Sequence, residues 1–382
     1  MGGVQFSSFY FIKELQKYPK VKIKLLLPRN GQFSKLCEKN FIPFSIYNSR
    51  KMYSSSIAFF HDTIRIPNPF AWIYNSIHIY HNSKKVRKIL KHNQNAVILS
   101  KGLYSHFITI IATRKLSNKL IWHFQDLISN QFGGILLNLM NYLAKIGPNY
   151  IICDGNSIFK SLSIYNQSKA TIILNGVNED LFQRTDKHRK FGRKEFNIPK
   201  DAYVIGHIGR FTPWKGQLRL VEAFIEYSKQ NTKAILFLVG EPVFDSNSYF
   251  LDIKTEIIKQ GLVGKIILAG FRSDLDKMFS IMDLFIYPSL EKDTSPLSLL
   301  SALSSGLPTA VSSIESLREI NEKIPAISLF DPSNQSDITN IFQKFEVKHL
   351  RAKTGKSINL EFANQFSIKL NTLKIMEVIN SI

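Results

Sequence analysis

Short apolar runs alternate with helical patterns along this chain, and the alternation occurs twice. In the first half the strand-like runs are Val21–Pro28, Ala96–Ser100, Lys119–Phe124, Tyr150–Cys153 and Ala170–Leu174. Helical patterns lie between them, as at Ser83–His92 and Gly134–Ile146. In the second half the runs are Tyr203–Ile208, Ala234–Val239, Lys265–Ala269, Leu284–Tyr287 and Thr309–Val311. Helical patterns separate them at Gln217–Gln230, Tyr249–Gln260, Leu275–Met282 and Pro296–Ser305. Strands that alternate with helices specify a parallel sheet covered on both faces. The expected fold is therefore α/β, with two doubly wound, Rossmann-like parallel-sheet domains facing a cleft. The Asn175-Gly176 turn marks the boundary. The domains are read as residues 1–180 and 181–365, with charged residues 183–200 as an exposed connection. An amphipathic helix over 366–382 is expected to pack back on the first domain. Gly2-Gly3 stand at the start with no strand ahead of them, so the first strand of that domain is expected to be missing or its edge unusual.

Within the second half, the run Gly-Arg-Phe-Thr-Pro-Trp-Lys-Gly at 209–216 follows one strand and opens a helix. Glycine admits close backbone approach to a ligand. A helix start offers N–H groups and the positive end of a dipole. Arg210 can fork onto phosphate oxygens and Lys215 can add a point charge. That combination suits a diphosphate, which as a leaving group must be neutralised while it departs.

The 382 residues, 44% apolar, supply enough core for two domains. Two cysteines are too few for a disulfide framework and point to a reducing compartment. No apolar run reaches the roughly 18 residues that span a bilayer, and no signal peptide is expected. The net charge of +21 is uneven: residues 1–185 carry 24 Lys+Arg against 7 Asp+Glu, the remainder 26 against 22. An anionic membrane surface is the preferred partner of the basic half. The apolar, aromatic stretch Met52–Ile79, with Phe59-Phe60 and Phe70-Ala71-Trp72, is a candidate for dipping into that interface or for packing on the domain. Nucleic acid is not expected, because no recognition module is visible.

The motifs Gly2-Gly3-Val4, His123, Asn175-Gly176-Val177, Gly209-Arg210 with Lys215-Gly216, Val239-Gly240-Glu241, Gly270-Phe271-Arg272, Tyr287-Pro288-Ser289 and Gly306-Leu307-Pro308 occur in this order. Together they resemble the family-4, or group 1, retaining glycosyltransferases of the GT-B fold. The resemblance covers most of the chain and is strongest from Asn175 to Pro308. It implies a UDP- or GDP-sugar donor held by the second domain, and a glycan or lipid-linked acceptor held by the first. It implies transfer of a hexose-type sugar with retention, in surface polysaccharide biosynthesis. It assigns Arg210 and Lys215 to the diphosphate and His123 to the transferred sugar. Phe271 and Arg272 are assigned to the nucleobase, and Gly2 and Gly3 to the donor from across the cleft. Gly209, Gly240, Glu241, Ser295, Pro296 and Leu297 complete the donor set. No metal and no other cofactor are expected, and the location implied is the cytoplasm, peripheral on the inner face of the membrane.

The chain departs from the family at its paired glutamates. Aligned on Gly306-Leu307-Pro308, the first acid falls on Asp293, unless Glu291 takes its place, and the second falls on Ser301. A neutral hydroxyl in place of a carboxylate on the ribose exchanges bonds of about 1.5–3 kcal/mol for one of about 0.5–1.5 kcal/mol. Weaker nucleotide binding is expected, and a catalytically weak or inactive nucleotide-sugar-binding subunit stands as the alternative function. Other readings stay open for single residues. His123 also suits a satisfied, half-buried strand-end histidine, and Asp293 a turn or helix-capping acid. Glu291 also suits an exposed loop acid.

Overall fold

The computed structural model describes residues 2–382 except 55, 60–63, 129–133, 243–246 and 292. The chain separates into two units, Met1–Gly176 with Ile368–Ile382, and Val177–Ser367. The first contains α1 (Gly3–Leu15), β1 (Leu25–Leu27), α2 (Gln32–Lys39), β2 (Phe44–Ile46), β3 (Ser56–Phe59) and β4 (Ile64–Pro67). It continues with α3 (Pro69–Lys91), β5 (Ile98–Lys101), α4 (Leu103–Thr113), β6 (Leu120–Phe124), α5 (Ile135–Ile146) and β7 (Tyr150–Cys153). Short helices α6 (Asn156–Ser161) and α7 (Ile164–Gln167) then lead to β8 (Ala170–Ile172).

The second unit begins with α8 (Asp186–Glu195), β9 (Tyr203–Ile208), α9 (Gln217–Gln230), β10 (Ala234–Val239), α10 (Asn247–Lys259) and β11 (Ile266–Leu268). Next come α11 (Leu275–Ile281), β12 (Leu284–Tyr287), α12 (Leu297–Ser304), β13 (Thr309–Ser312) and α13 (Glu315–Lys323). It closes with β14 (Ser328–Phe330), α14 (Gln335–Lys344) and α15 (Lys348–Phe366). The chain ends in α16 (Ile368–Asn380), which belongs to the first unit.

The second unit is one parallel sheet of order β11-β10-β9-β12-β13-β14. Residues of β9, β10, β12 and β13 are all buried, which is why these strands read as unbroken apolar runs rather than alternating ones. The strand order reverses around β9, whose neighbours are β10 and β12. The loops after β9 and β12 therefore leave the sheet side by side at the reversal, where open α/β sheets place their ligands.

The first unit departs from a single sheet. Strands β5-β6-β7-β8 form one parallel sheet and β1-β2 another. Leu26 and Ile98 pack on one hydrophobic cluster, while Leu25, Leu27 and Leu99 pack on a second. Strands β1 and β5 thus share both apolar layers without pairing among the described residues, and α1 begins directly at Gly3. An antiparallel hairpin, β3-β4, lies in the aromatic stretch Met52–Ile79, and Phe60 falls outside the described residues. Helix α3 begins well before the helical pattern at Ser83, because the Asn68 side chain accepts from Ala71 N and Pro69 sits at the first helical position.

Residues 183–200 are mostly exposed, as expected, but they are more than a connection: they contain α8, and Arg193, 4% exposed, reaches inward to Asp283. The Asp283 carboxylate accepts from Arg189 Nη2 at 2.7 Å, from Arg193 Nη2 at 2.9 Å and from Val204 N at 2.9 Å. One acid thus joins α8, β9 and β12. A helix so rich in charge hides the single buried edge that makes it part of the domain.

Helix α16 packs on α1, where Ile375 and Val378 join Phe11, Ile12 and Leu15 in one core cluster. Ile375 is fully buried. Ile375→Ala is expected to lower the stability of the first unit by about 2–5 kcal/mol. Denaturant unfolding followed by probes specific to each unit should show the first transition move and the second stay.

Two buried histidines set an acid limit. Burial pushes His106 down to about 3 and His207 down to about 4. The unfolded chain takes up these protons near pH 6.5 while the folded chain resists them. Stability is therefore complete above about pH 6.5 and falls as pH drops toward 4. The urea midpoint of the second unit should follow that course, and His207→Gln should flatten its part of the slope. A midpoint unchanged between pH 6.5 and 4 would contradict the neutral assignment.

Candidate functional site

The loop after β9 is shaped by two backbone contacts that only glycine permits. Gly216 has φ +70°, and a Cβ there would lie 2.0 Å from the Pro288 carbonyl oxygen. Gly240 has φ +144°, and a Cβ there would lie 2.0 Å from the Gly209 carbonyl oxygen. The ends of β9, β10 and β12 thereby close to backbone contact. Gly209 N donates to Val239 O at 3.0 Å, Phe211 N to Glu241 O at 3.1 Å, and Gly240 N to Gly270 O at 2.9 Å. Gln217, fully buried, donates from Nε2 to Arg210 O at 2.8 Å and fixes the backbone beneath that arginine.

This frame places Lys215 in a polar nest. Its Nζ donates to Asp293 Oδ1 at 2.6 Å and to the Tyr287 hydroxyl, and lies 4.9 Å from the Tyr287 ring centroid. Asp293 Oδ2 accepts from the Ser289 hydroxyl and, at 3.2 Å, from the Tyr287 hydroxyl. Ser289 also bonds to Trp214 O, and Leu290 N donates to Trp214 O at 2.8 Å. The side chains of Lys215 and Asp293 are 10% and 12% exposed. An ammonium this buried requires a paired carboxylate and further bonds, and it has both. Burial and the neighbouring Asp293 carboxylate push the Tyr287 phenol well above its usual range, so Tyr287 stays a donor.

Beneath the loop, His207 Nδ1 donates to Ile286 O at 2.9 Å, so the neutral ring keeps a lone pair on Nε2. That atom and Thr212 Oγ1 are buried without a hydrogen-bond partner among the described residues. Buried, unpaired polar atoms beside a loop are costly unless a ligand or water meets them.

The remaining assigned residues are placed as follows. Arg210 and Glu241 are exposed at this end of the sheet, and Phe271 is 54% exposed. Arg272 is occupied: its guanidinium meets Asp274 at 2.7 Å and Glu195 at 2.6 Å, and these bonds hold its proton more tightly than usual. It braces the loop on α8 rather than presenting an open fork. Ser295 is buried, while Pro296 and Leu297 are half-buried where α12 starts. Glu291 is exposed, and Ser301 is 2% exposed within α12. The α9 start differs from expectation, because Leu218 N donates to the Tyr249 hydroxyl at 2.9 Å instead of standing open.

In the first unit Gly2 caps α1, and a Cβ at Gly2 or Gly3 would meet nothing within 4 Å. His123 lies on β6, 1% exposed, with Nε2 on Asp154 Oδ1. Asp154 Oδ2 accepts from Asn175 Nδ2 at 2.8 Å and Gln125 Nε2 at 3.1 Å, and Gln125 also donates to Ser7 Oγ at 2.9 Å. Burial lowers the His123 pKa, with Asp154 opposing it. Burial also pulls nearby Lys101 down to about 8. Asp154 was not singled out from the sequence. The available signal was a lone acid ending an apolar strand, in a half with only 7 acids.

The family model described as glycosyl transferases group 1 matches residues 188–358. Similar curated proteins include the UDP-Gal:alpha-D-GlcNAc-diphosphoundecaprenol alpha-1,3-galactosyltransferase of Escherichia coli, 25% identical over 55% of this chain and 50% of that protein. The lipopolysaccharide 1,2-N-acetylglucosaminetransferase of Salmonella typhimurium is 24% identical over 49% of this chain and 51% of that protein. The chain thus spans about half the length of the curated relatives it matches. Among solved structures, Anabaena HepE in complex with UDP-glucose superposes with a TM-score of 0.82 at 18% identity, covering 100% of this chain and 97% of that one. A glycosyltransferase from Rickettsia africae gives 0.76 at 20% identity, covering 99% and 94%. Residues 188–358 thus resemble the group 1 glycosyltransferases, and the chain as a whole has the GT-B fold.

Proposed function

We propose that this chain transfers a hexose-type sugar from a nucleotide-sugar donor to a glycan or lipid-linked acceptor, with retention, in surface polysaccharide assembly. The observation that carries the reading is the buried Lys215 ammonium at the sheet's strand-order reversal, with Arg210 exposed on the same loop. Two of the similar proteins are named for sugar transfer to a lipid-linked or lipopolysaccharide acceptor. The HepE structure holds UDP-glucose, which makes UDP the first base to test.

In this reading the donor diphosphate lies on the loop. The bond from the anomeric carbon to the phosphate oxygen breaks, and negative charge builds on the leaving phosphate. Lys215 and Arg210 stabilise that charge without reorganising, and a well-placed donor of this kind contributes on the order of 3–4 kcal/mol. The acceptor oxygen bonds to the anomeric carbon on the vacated face, and its proton passes to the leaving phosphate. Asp293 and Tyr287 orient the ammonium. Ser301, where the family carries a glutamate, favours a second reading as a weak or non-catalytic nucleotide-sugar binder.

UDP is expected to raise the melting temperature of the wild type. Lys215→Met paired with Asp293→Asn removes both buried charges together, so the fold is kept while the UDP shift is lost. Arg210→Ala, at an exposed site, should lower nucleoside diphosphate release by about 10²–10³-fold across a panel of donor sugars. Stabilisation by no nucleotide at all would sink the reading, and stabilisation without turnover would leave the binding subunit.

The acceptor side of the proposal includes an anionic membrane surface. No helix among the described residues is long and apolar enough to cross a membrane. Helix α3 instead exposes Phe70 (84%), Ile73 (63%) and Ile77 (51%) along one face, in the strongly basic half. Such a face suits shallow insertion beside acidic headgroups, at the cytoplasmic side of the membrane. The chain should co-sediment with phosphatidylglycerol vesicles at low salt, and Phe70→Ser with Ile73→Ser should weaken this. Equal binding by that variant would remove α3 from the interface.

A further inference from the structure

The second unit contains a cavity of about 320 Å³ at the amino-terminal ends of β12 and β13, the opposite end of the sheet from Lys215 and Asp293. Arg184, Asp283, Ser305, Arg351, Lys356 and Asn359 help to line it. Its charges do not balance. Both oxygens of Asp283, the acid of this lining, are already committed to Arg189, Arg193 and Val204 N. Arg189 and Arg193 are further spent on carbonyls at the end of α11.

Arg184 has no such settlement. Its Nη2 donates to Met282 O at 3.0 Å, and its Nε is buried without an acceptor among the described residues. Arg351 donates through Nη1 to Phe345 O and Glu346 O, with its guanidinium 5.0 Å from the Tyr203 ring centroid. Lys356 is exposed at the rim. Burial draws Arg184 down to about 10, the positive charges of Arg189, Arg193 and Arg351 act in the same direction, and Asp283 opposes them. A cavity with two guanidiniums, an ammonium and one saturated carboxylate gains by taking up an anion. A dianion offsets more of this excess than a carboxylate can, and tetrahedral oxygens match a guanidinium fork, an ammonium and an amide together.

We propose that this cavity binds a phosphoryl group, free or carried as a phosphomonoester or lipid headgroup, at a site separate from the donor loop. It does not rest on the transferase reading, because its residues lie at the other end of the sheet. The test is thermal unfolding of the full chain in inorganic phosphate, with sodium chloride holding ionic strength constant. Phosphate should raise the melting temperature beyond chloride, and equally in the Lys215→Met/Asp293→Asn variant. Lys356→Glu, at an exposed position, should raise the half-saturating concentration about tenfold or more. Arg184→Gln should do likewise, provided that its circular dichroism matches the wild type.

Glycerol 3-phosphate and phosphatidylcholine vesicles with and without phosphatidic acid distinguish the free from the lipid-borne source. Binding confined to phosphatidic acid vesicles, and lost in Lys356→Glu, assigns the site to a headgroup. The proposal is overturned if neither source responds to Lys356→Glu. It is equally overturned if the phosphate shift disappears with the Lys215 and Asp293 pair and survives Lys356→Glu.

Discussion

A buried ammonium governs the organisation of the second unit's functional end. Lys215 is displaced from water by the close approach of Gly216 to Pro288, and a charge in that position must be met by another. Asp293 meets it, and to do so the segment after β12 folds back through Ser289 and Leu290 onto Trp214. Two loops far apart in sequence are thereby held as one surface. The same pairing holds the cation in a poorly hydrated place, where electrostatic interactions are less screened than in water.

The other end of this sheet is held by the reverse arrangement. There one carboxylate, Asp283, is shared by two guanidiniums and a strand amide. At the functional end one ammonium is shared by one acid and one phenol. Losing Asp283 would leave two guanidiniums confined together, and losing Lys215 or Asp293 would leave one buried charge without its partner. Such losses are far more costly than those of surface ion pairs.

The strands of the second unit were legible because burial on both faces writes itself as an unbroken apolar run, as in Ala234–Val239. The loop at Gly209–Gly216 was legible because glycine at 216 is forced by backbone contact with Pro288. Helix α8 was misread, since only Arg193 and Gly192 of its charged run are buried. Strand β14 is three residues, too short to show a period. The roles of Asp154, Asp283 and Tyr287 depend on partners dozens of residues away, and no local pattern encodes such a pairing. Arg272 shows the same limit from the other side: its neighbours Asp274 and Glu195 claim a fork that the motif alone leaves open.

The return of α16 to α1 has a consequence for biogenesis. The second unit is a continuous stretch from Val177 to Ser367, whereas the first needs residues from both sides of that stretch. On the ribosome, domains usually mature in the order in which they emerge. Here Phe11 and Leu15 must wait for Ile375 and Val378, so the later-made unit can reach its native state while the earlier-made one is still open. During that interval the apolar surface of α1 and the two short β1-β2 strands are the parts a chaperone would have to shield.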